Sequence, residues 1–222
     1  MENQQKAKKH LIQSDVVLAN IMREVGDIDL SRRLELSTKN HFGTLVFGII
    51  GQRNPERVTI KILADLKTKF QNESPTVEDI LATPKAELEQ LTNSYKKADY
   101  LLHLAHAVKS GLLQLNKIET FTDEKIIEQL TSVKGIGSWT AEQFLFWHLE
   151  RPDVLGKGDP AIKKAVMRIY QLKALLTEEE LETISKPWRP YRTLACHYLL
   201  RSKYGPGVSS GWPSQMPRPL QY

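Results

Sequence analysis

Apolar side chains recur every three or four residues along most of the chain, and no stretch alternates apolar with polar long enough to read as a strand. Phe42, Leu45, Val46, Ile49 and Ile50 predict a helix from His41. Gly51-Gln52-Arg53-Asn54-Pro55 interrupts it before a second helix that runs to about Phe70. Earlier, Val17, Leu18, Ile21, Met22 and Val25 share one face of a helix capped by Ser14 and stopped by Gly26, after a basic tail. Tyr95, Ala98, Leu101, Leu102, Ala105 and Val108 stripe another, closed by Gly111, and Ile162, Ala165, Val166 and Ile169 stripe one more beyond Asp159-Pro160. Thr76, Thr83-Pro84 and Thr122 read as N-caps, and Thr177 with Glu180 as a capping box. Trp188-Arg189-Pro190-Tyr191-Arg192 opens a final helix, and the Gly/Pro/Ser-rich end from Gly205 reads as a loosely held tail. The pattern predicts an all-α fold.

One reversal stands out, in LTSVKGIGSWTAEQFL at 130–145. Glu128, Leu130 and Val133 end one helical pattern, Lys134-Gly135-Ile136-Gly137 turns, and an amphipathic run restarts at Ser138, the expected N-cap, with Ala141, Phe144, Leu145 and His148 on one side. Two glycines remove Cβ where the chain reverses, so backbone N–H groups can point outward at a phosphate oxygen. By itself the segment serves equally well as an ordinary turn between helices.

Composition narrows the field. The 222 residues are 41% hydrophobic and 26% charged, enough for one large domain or two small lobes. No apolar run approaches the roughly 20 residues of a membrane helix, and the start MENQQKAKKH lacks the apolar segment of a signal peptide. A cytoplasmic protein without membrane contact is expected, nucleoid-associated if bacterial. The single cysteine, Cys196, excludes an internal disulfide and a four-cysteine iron-sulfur cluster, while His103 and His106 have no further residues at metal-ligand spacing. A net charge of +5 permits a polyanionic partner. Lys134, Lys157, Lys163, Lys164 and Arg168 lie near the hairpin or Asp159 in sequence, though each alone reads as part of a solvated helical face.

Together, VKGIGSWTAEQFL and GDPAIKKAV resemble the helix-hairpin-helix and the Gly/Pro-rich loop with its aspartate in the DNA base-excision glycosylase superfamily. HFGTLVFGIIGQRNPERV (41–58), SYKKADYLLHLAHAV (94–108) and WRPYRTLACHYLLR (188–201) resemble its alkylated-base branch, the DNA-3-methyladenine glycosylase II type, in the same order. The resemblance runs from about His41 to about Tyr204. It implies two helical lobes, one from the central segment and one from the two ends, with a DNA-facing cleft between them. Residues 1–40 would pack with the C-terminal lobe, 41–204 would form the core with its hairpin at 130–145 and catalytic loop at 152–160, and 205–222 would be the tail. The strand-rich domain that some alkylation glycosylases carry in front is not expected.

The resemblance makes Asp159 the catalytic carboxylate and sets Gln52 and Arg53 on a DNA-facing loop, with Arg53 as the wedge that fills the gap left by an extruded base. Arg53 can equally grip a phosphate, and the second glutamine or apolar residue usual in that loop is missing. Lys134, Gly135, Ile136 and Gly137 would hold a DNA phosphate, directly or through a monovalent cation, with no catalytic metal and no other cofactor. Trp139 takes the position of the lysine that in backbone-nicking members forms a Schiff base, so a monofunctional enzyme is expected. Phe42, Trp139 and Trp147 are the candidates for an aromatic pocket around a cationic alkylated purine. Each can equally be a core residue, and Pro160 and Leu200 stand where related enzymes can have aromatics. Arg192 is expected to tie the last helix to its lobe.

Read as chemistry, Asp159-Pro160 is first a helix N-cap, and capping would fix the carboxylate's direction and keep it ionised. Such a group stabilises the oxocarbenium-like state of N-glycosidic cleavage. The expected protein is therefore a monomeric glycosylase of duplex DNA that releases alkylated purines. The alternatives are a glycosylase for deaminated bases such as hypoxanthine or uracil, and a noncatalytic hairpin protein that binds DNA.

Overall fold

The side chains that recur every third or fourth residue do form helices. A computed structural model describes residues 2–28 and 40–202, and among these there are twelve α-helices and no strand. They are α1 (Glu2–Ser14), α2 (Val16–Val25), α3 (His41–Gly51), α4 (Glu56–Phe70), α5 (Val77–Ala82), α6 (Lys85–Thr92), α7 (Tyr95–Lys109), α8 (Asp123–Thr131), α9 (Ser138–Gln143), α10 (Pro160–Ile169), α11 (Glu178–Ser185) and α12 (Arg192–Arg201). A single π turn, Phe144–His148, continues α9. The expected tail from Gly205 lies outside the described residues.

Four local expectations are corrected. The basic start is helix α1, because Ala7 and Leu11, one turn apart, are buried and suffice to dock it. Asp15, not Ser14, caps α2, since its carboxylate accepts from Val17 N and Leu18 N at 3.0 Å each. Thr83 ends α5 by donating to Asp79 O, and Pro84 precedes α6 with no side-chain cap. Ser138 is the first helical residue of α9, with Gly137 before it. The caps at Thr76, Thr122 and Thr177 form as expected.

The chain divides into two compact units. Residues 40–144 form one, built around α7, against which α3, α5 and α6 pack. Here α3 is apolar on every side, and Phe42 through Gly51 are all buried. Residues 2–28 with 145–202 form the other, in which α12 packs on α1, α2 and α10. Its centre is polar as well as apolar. The Asp15 carboxylate that caps α2 also accepts from the Tyr170 hydroxyl and, at 2.7 Å, from the fully buried Trp188 indole. Burial, reinforced by that carboxylate, holds the Tyr170 phenol well above its usual range.

Candidate functional site

Within the unit of residues 40–144, the hairpin and the α3–α4 loop lie side by side. Gln52, Arg53, Tyr100, Gly135, Ile136, Gly137, Trp139 and Thr140 line an open concavity of about 680 Å³. The two glycines have different duties. Gly135 sits at φ +104, where a Cβ would lie 2.2 Å from Cγ of Tyr100; around Gly137 there is nothing within 4 Å. Gly135 is thus required both by conformation and by the aromatic ring beneath it.

The hairpin amides are not equivalent either. Ile136 N–H donates to Val133 O at 3.0 Å and its side chain is buried, so the expectation that Ile136 offers an amide outward is corrected. The Gly135 and Gly137 N–H groups have no partner among the described residues. Lys134 beside them is exposed, and Trp139 is half-buried at the concavity.

In the loop, Gln52 faces the hairpin. Its side-chain Nε2 donates to Gly135 O at 2.8 Å and to Thr140 Oγ1 at 3.3 Å. Arg53 is exposed at φ +55, a backbone state that non-glycine residues enter at a cost of about 1–2 kcal/mol. Below the loop, Lys97 Nζ donates to Ile50 O at 2.6 Å, and Asn54 Nδ2 donates to the same carbonyl at 3.0 Å. Burial pushes the Lys97 ammonium down to about 8. Phe42 lies in the first turn of α3, buried and not among the residues lining the concavity.

Asp159 and Trp147 belong to the other unit. Asp159 is the N-cap of α10 and is buried, with its carboxylate accepting from Ala161 N at 2.8 Å. Its own N–H donates to Gly156 O at 2.9 Å, and Gly156 has φ +62 with Ile162 Cδ1 only 2.8 Å from where a Cβ would stand. A tight turn therefore leads the chain into the cap of α10.

The chain leading into that turn is held by α12. Thr193 N donates to Pro152 O at 3.1 Å, Thr193 Oγ1 accepts from Val154 N at 2.9 Å, and Cys196 Sγ contacts Leu155 O at 3.2 Å. Arg192 is buried and takes Asp153 bidentately, at 2.8 and 3.0 Å, and Glu182 at 2.9 Å. Arg189 reaches the same two carboxylates at 2.8 Å each. Burial works to raise Glu182, but the two guanidiniums outweigh it and hold that carboxyl below its usual value. The expected tie between the last helix and its own unit is thus a four-membered ionic cluster.

Trp147, on the π turn, packs edge-on against Phe146 at 4.5 Å and His197 at 5.0 Å between ring centroids. Arg201 Nη1 lies 3.3 Å from His197 Nδ1. Tyr100, Lys97, Thr193 and His197 were not candidates by sequence. For Lys97 a signal existed: it precedes Leu101 and Leu104 by four and seven residues, which puts it on the buried face.

Among the described residues no group of three or more His, Cys, Asp or Glu could hold a metal ion, and no helix is long and apolar enough to cross a membrane.

Residues 46–190 match the model of the HhH-GPD superfamily base excision DNA repair proteins. Alkylbase DNA glycosidase-like protein mag2 of Schizosaccharomyces pombe is 26% identical over 197 residues, covering 87% of this chain and 91% of that protein. DNA-3-methyladenine glycosylase 1 of the same organism is 29% identical over 199 residues, 89% of this chain and 86% of that protein. Among solved structures, the S. pombe 3-methyladenine DNA glycosylase Mag1 in complex with abasic DNA superimposes with a TM-score of 0.77 at 28% identity, over 87% of this chain and 94% of that one.

Proposed function

Because this chain belongs to the HhH-GPD superfamily of base excision DNA repair proteins, we propose that it is a monofunctional DNA glycosylase that flips alkylated purines of the 3-methyladenine and 7-methylguanine type out of duplex DNA and hydrolyses their N-glycosidic bond. The observation that carries the reading is the buried carboxylate of Asp159, fixed in direction by Ala161 N–H at the head of α10. In its ionised form, a carboxylate so held stabilises the positive charge that develops on the deoxyribose as the base departs. It can also orient or deprotonate the attacking water.

Alkylation at N3 or N7 makes the purine a cationic leaving group, so no general acid is needed. Trp139 and Trp147, both half-buried, remain the aromatic candidates for that base, with Phe42 the more deeply placed of the three. Trp139 stands where a Schiff-base lysine would have to be, and an indole has no amine chemistry, so the product is an abasic site and the backbone stays intact. Arg53, Lys134 and the Gly135 and Gly137 amides are the groups offered to DNA phosphates. The protein acts as a monomer on damaged duplex, in the cytoplasm and at the nucleoid if the cell is bacterial.

The test is release of free purines from methylated duplex DNA by the wild type and Asp159→Asn in parallel. Asparagine caps a helix as well as aspartate does, so the variant keeps its fold. It should lose activity by about a hundredfold or more, the equivalent of roughly 3 kcal/mol in the barrier. Release of hypoxanthine or uracil but not methylated purines would move the substrate to deaminated bases. Binding without any release, equal in both proteins, would leave a noncatalytic DNA-binding protein.

A further inference from the structure

Gln52 stands on a DNA-facing loop by position, yet its amide is committed elsewhere. Both N–H bonds of Nε2 go to the hairpin, to Gly135 O and Thr140 Oγ1, so no donor is left for DNA. What these bonds do is join two turns that lie 83 residues apart in the chain.

Both turns also rest on α7. Lys97 and Tyr100 are three residues apart and share a helical face. Lys97 donates upward to Ile50 O at the end of α3, the carbonyl that Asn54 also uses. Tyr100 lies flush against Gly135, so closely that the hairpin admits no Cβ there. The loop is therefore fixed from below by Lys97, the hairpin from below by Tyr100, and each to the other by Gln52.

This arrangement explains an otherwise costly feature. Arg53 holds φ +55 while exposed, with no protein partner among the described residues to compensate it. A left-handed arginine persists only where the flanking backbone is over-determined, and its neighbours on both sides are: Gln52 by the hairpin, Asn54 by Ile50 O.

We propose that Gln52 is a positioning residue that locks the 51–55 loop to the hairpin over the Lys97–Tyr100 face of α7, so that Arg53 meets DNA in a preset orientation. The proposal rests on the glycosylase reading for its DNA ligand, but the interlock can be read without DNA.

Two measurements test it. The first is hydrogen exchange in the free protein at Asn54 N–H, bonded to Gly51 O, and Ile136 N–H, bonded to Val133 O. Gln52→Ala should speed exchange at both turns by about tenfold, and Gln52→Glu, which keeps the size but loses both donors, should do the same. Unchanged exchange at Ile136 in either variant overturns the interlock.

The second is affinity for a duplex carrying a tetrahydrofuran abasic-site analogue, for the wild type, Gln52→Ala, Arg53→Ala and the double variant. Arg53→Ala should weaken binding by about tenfold in the wild type and by less than about threefold once Gln52 is gone, because an unpositioned arginine has little left to lose. Losses that simply multiply would show Gln52 and Arg53 acting independently and overturn the positioning role. A wild type that binds no duplex would count against the glycosylase reading instead, and hydrogen exchange alone would then decide the interlock.

Discussion

Lys97 shows how one residue can be both a structural tie and a pH-dependent load. Its ammonium is buried against the C-terminal end of α3, where the helix dipole and Ile50 O favour a cation, but loss of water outweighs them and lowers its pKa to about 8. The sign follows from the unfolded value of 10.5. Below pH 8 the amine is charged in both states and the folded protein carries the full desolvation penalty. Between pH 8 and 10.5 it is neutral when folded and charged when unfolded, so folding gains stability as pH rises. The gain is on the order of 3 kcal/mol at most, and a neutral amine still donates to Ile50 O. Wild type should therefore become more stable relative to Lys97→Met on going from pH 7 to pH 10, as read by denaturant unfolding. A difference that stays flat with pH would show that the amine is well solvated.

At the scale of the element, the hairpin is a turn whose two glycines are unequal. Gly135→Ala must leave a backbone state that alanine avoids and also displace the Tyr100 ring, so the cost should exceed about 2 kcal/mol. Gly137→Ala meets open space at an ordinary negative φ, and should change stability by less than about 1 kcal/mol. Comparing the unfolding midpoints of the two variants checks this, and equal losses would contradict the packing of Tyr100 on Gly135. The loop ahead of Asp159 follows a different rule. It is held by α12 through Thr193, Cys196 and the Arg192–Asp153 pair, and Gly156 completes the turn into the cap. Thus α10 orients the carboxylate, while α12 holds the chain that delivers it.

For the whole molecule the relevant quantity is charge. A net charge of +5 gives DNA a general attraction without sequence information, and that part of binding weakens as salt rises. On the proposed function, log affinity for undamaged duplex should fall linearly with log salt, and Arg53→Ala should make the slope shallower by about one. An unchanged slope would mean that Arg53 touches no phosphate. Much of the protein was legible in the chain itself. The helices, the caps at Thr76, Thr122 and Thr177, the hairpin and the capping role of Asp159 all depend on residues within about one helical turn of one another, where periodicity and local hydrogen bonding decide the outcome. Where the local signal was ambiguous, neighbours competed: Asp15 displaced Ser14 because its carboxylate also answers Tyr170 and Trp188, the latter 173 residues away. Only the tertiary structure could decide that Gln52 serves the hairpin, that Tyr100 fixes Gly135, that Lys97 closes α3 and that Thr193 grips the chain before Asp159. These pairings join side chains to backbone atoms dozens of residues distant, and a carbonyl or an amide hydrogen carries no side-chain identity by which a sequence could announce its partner.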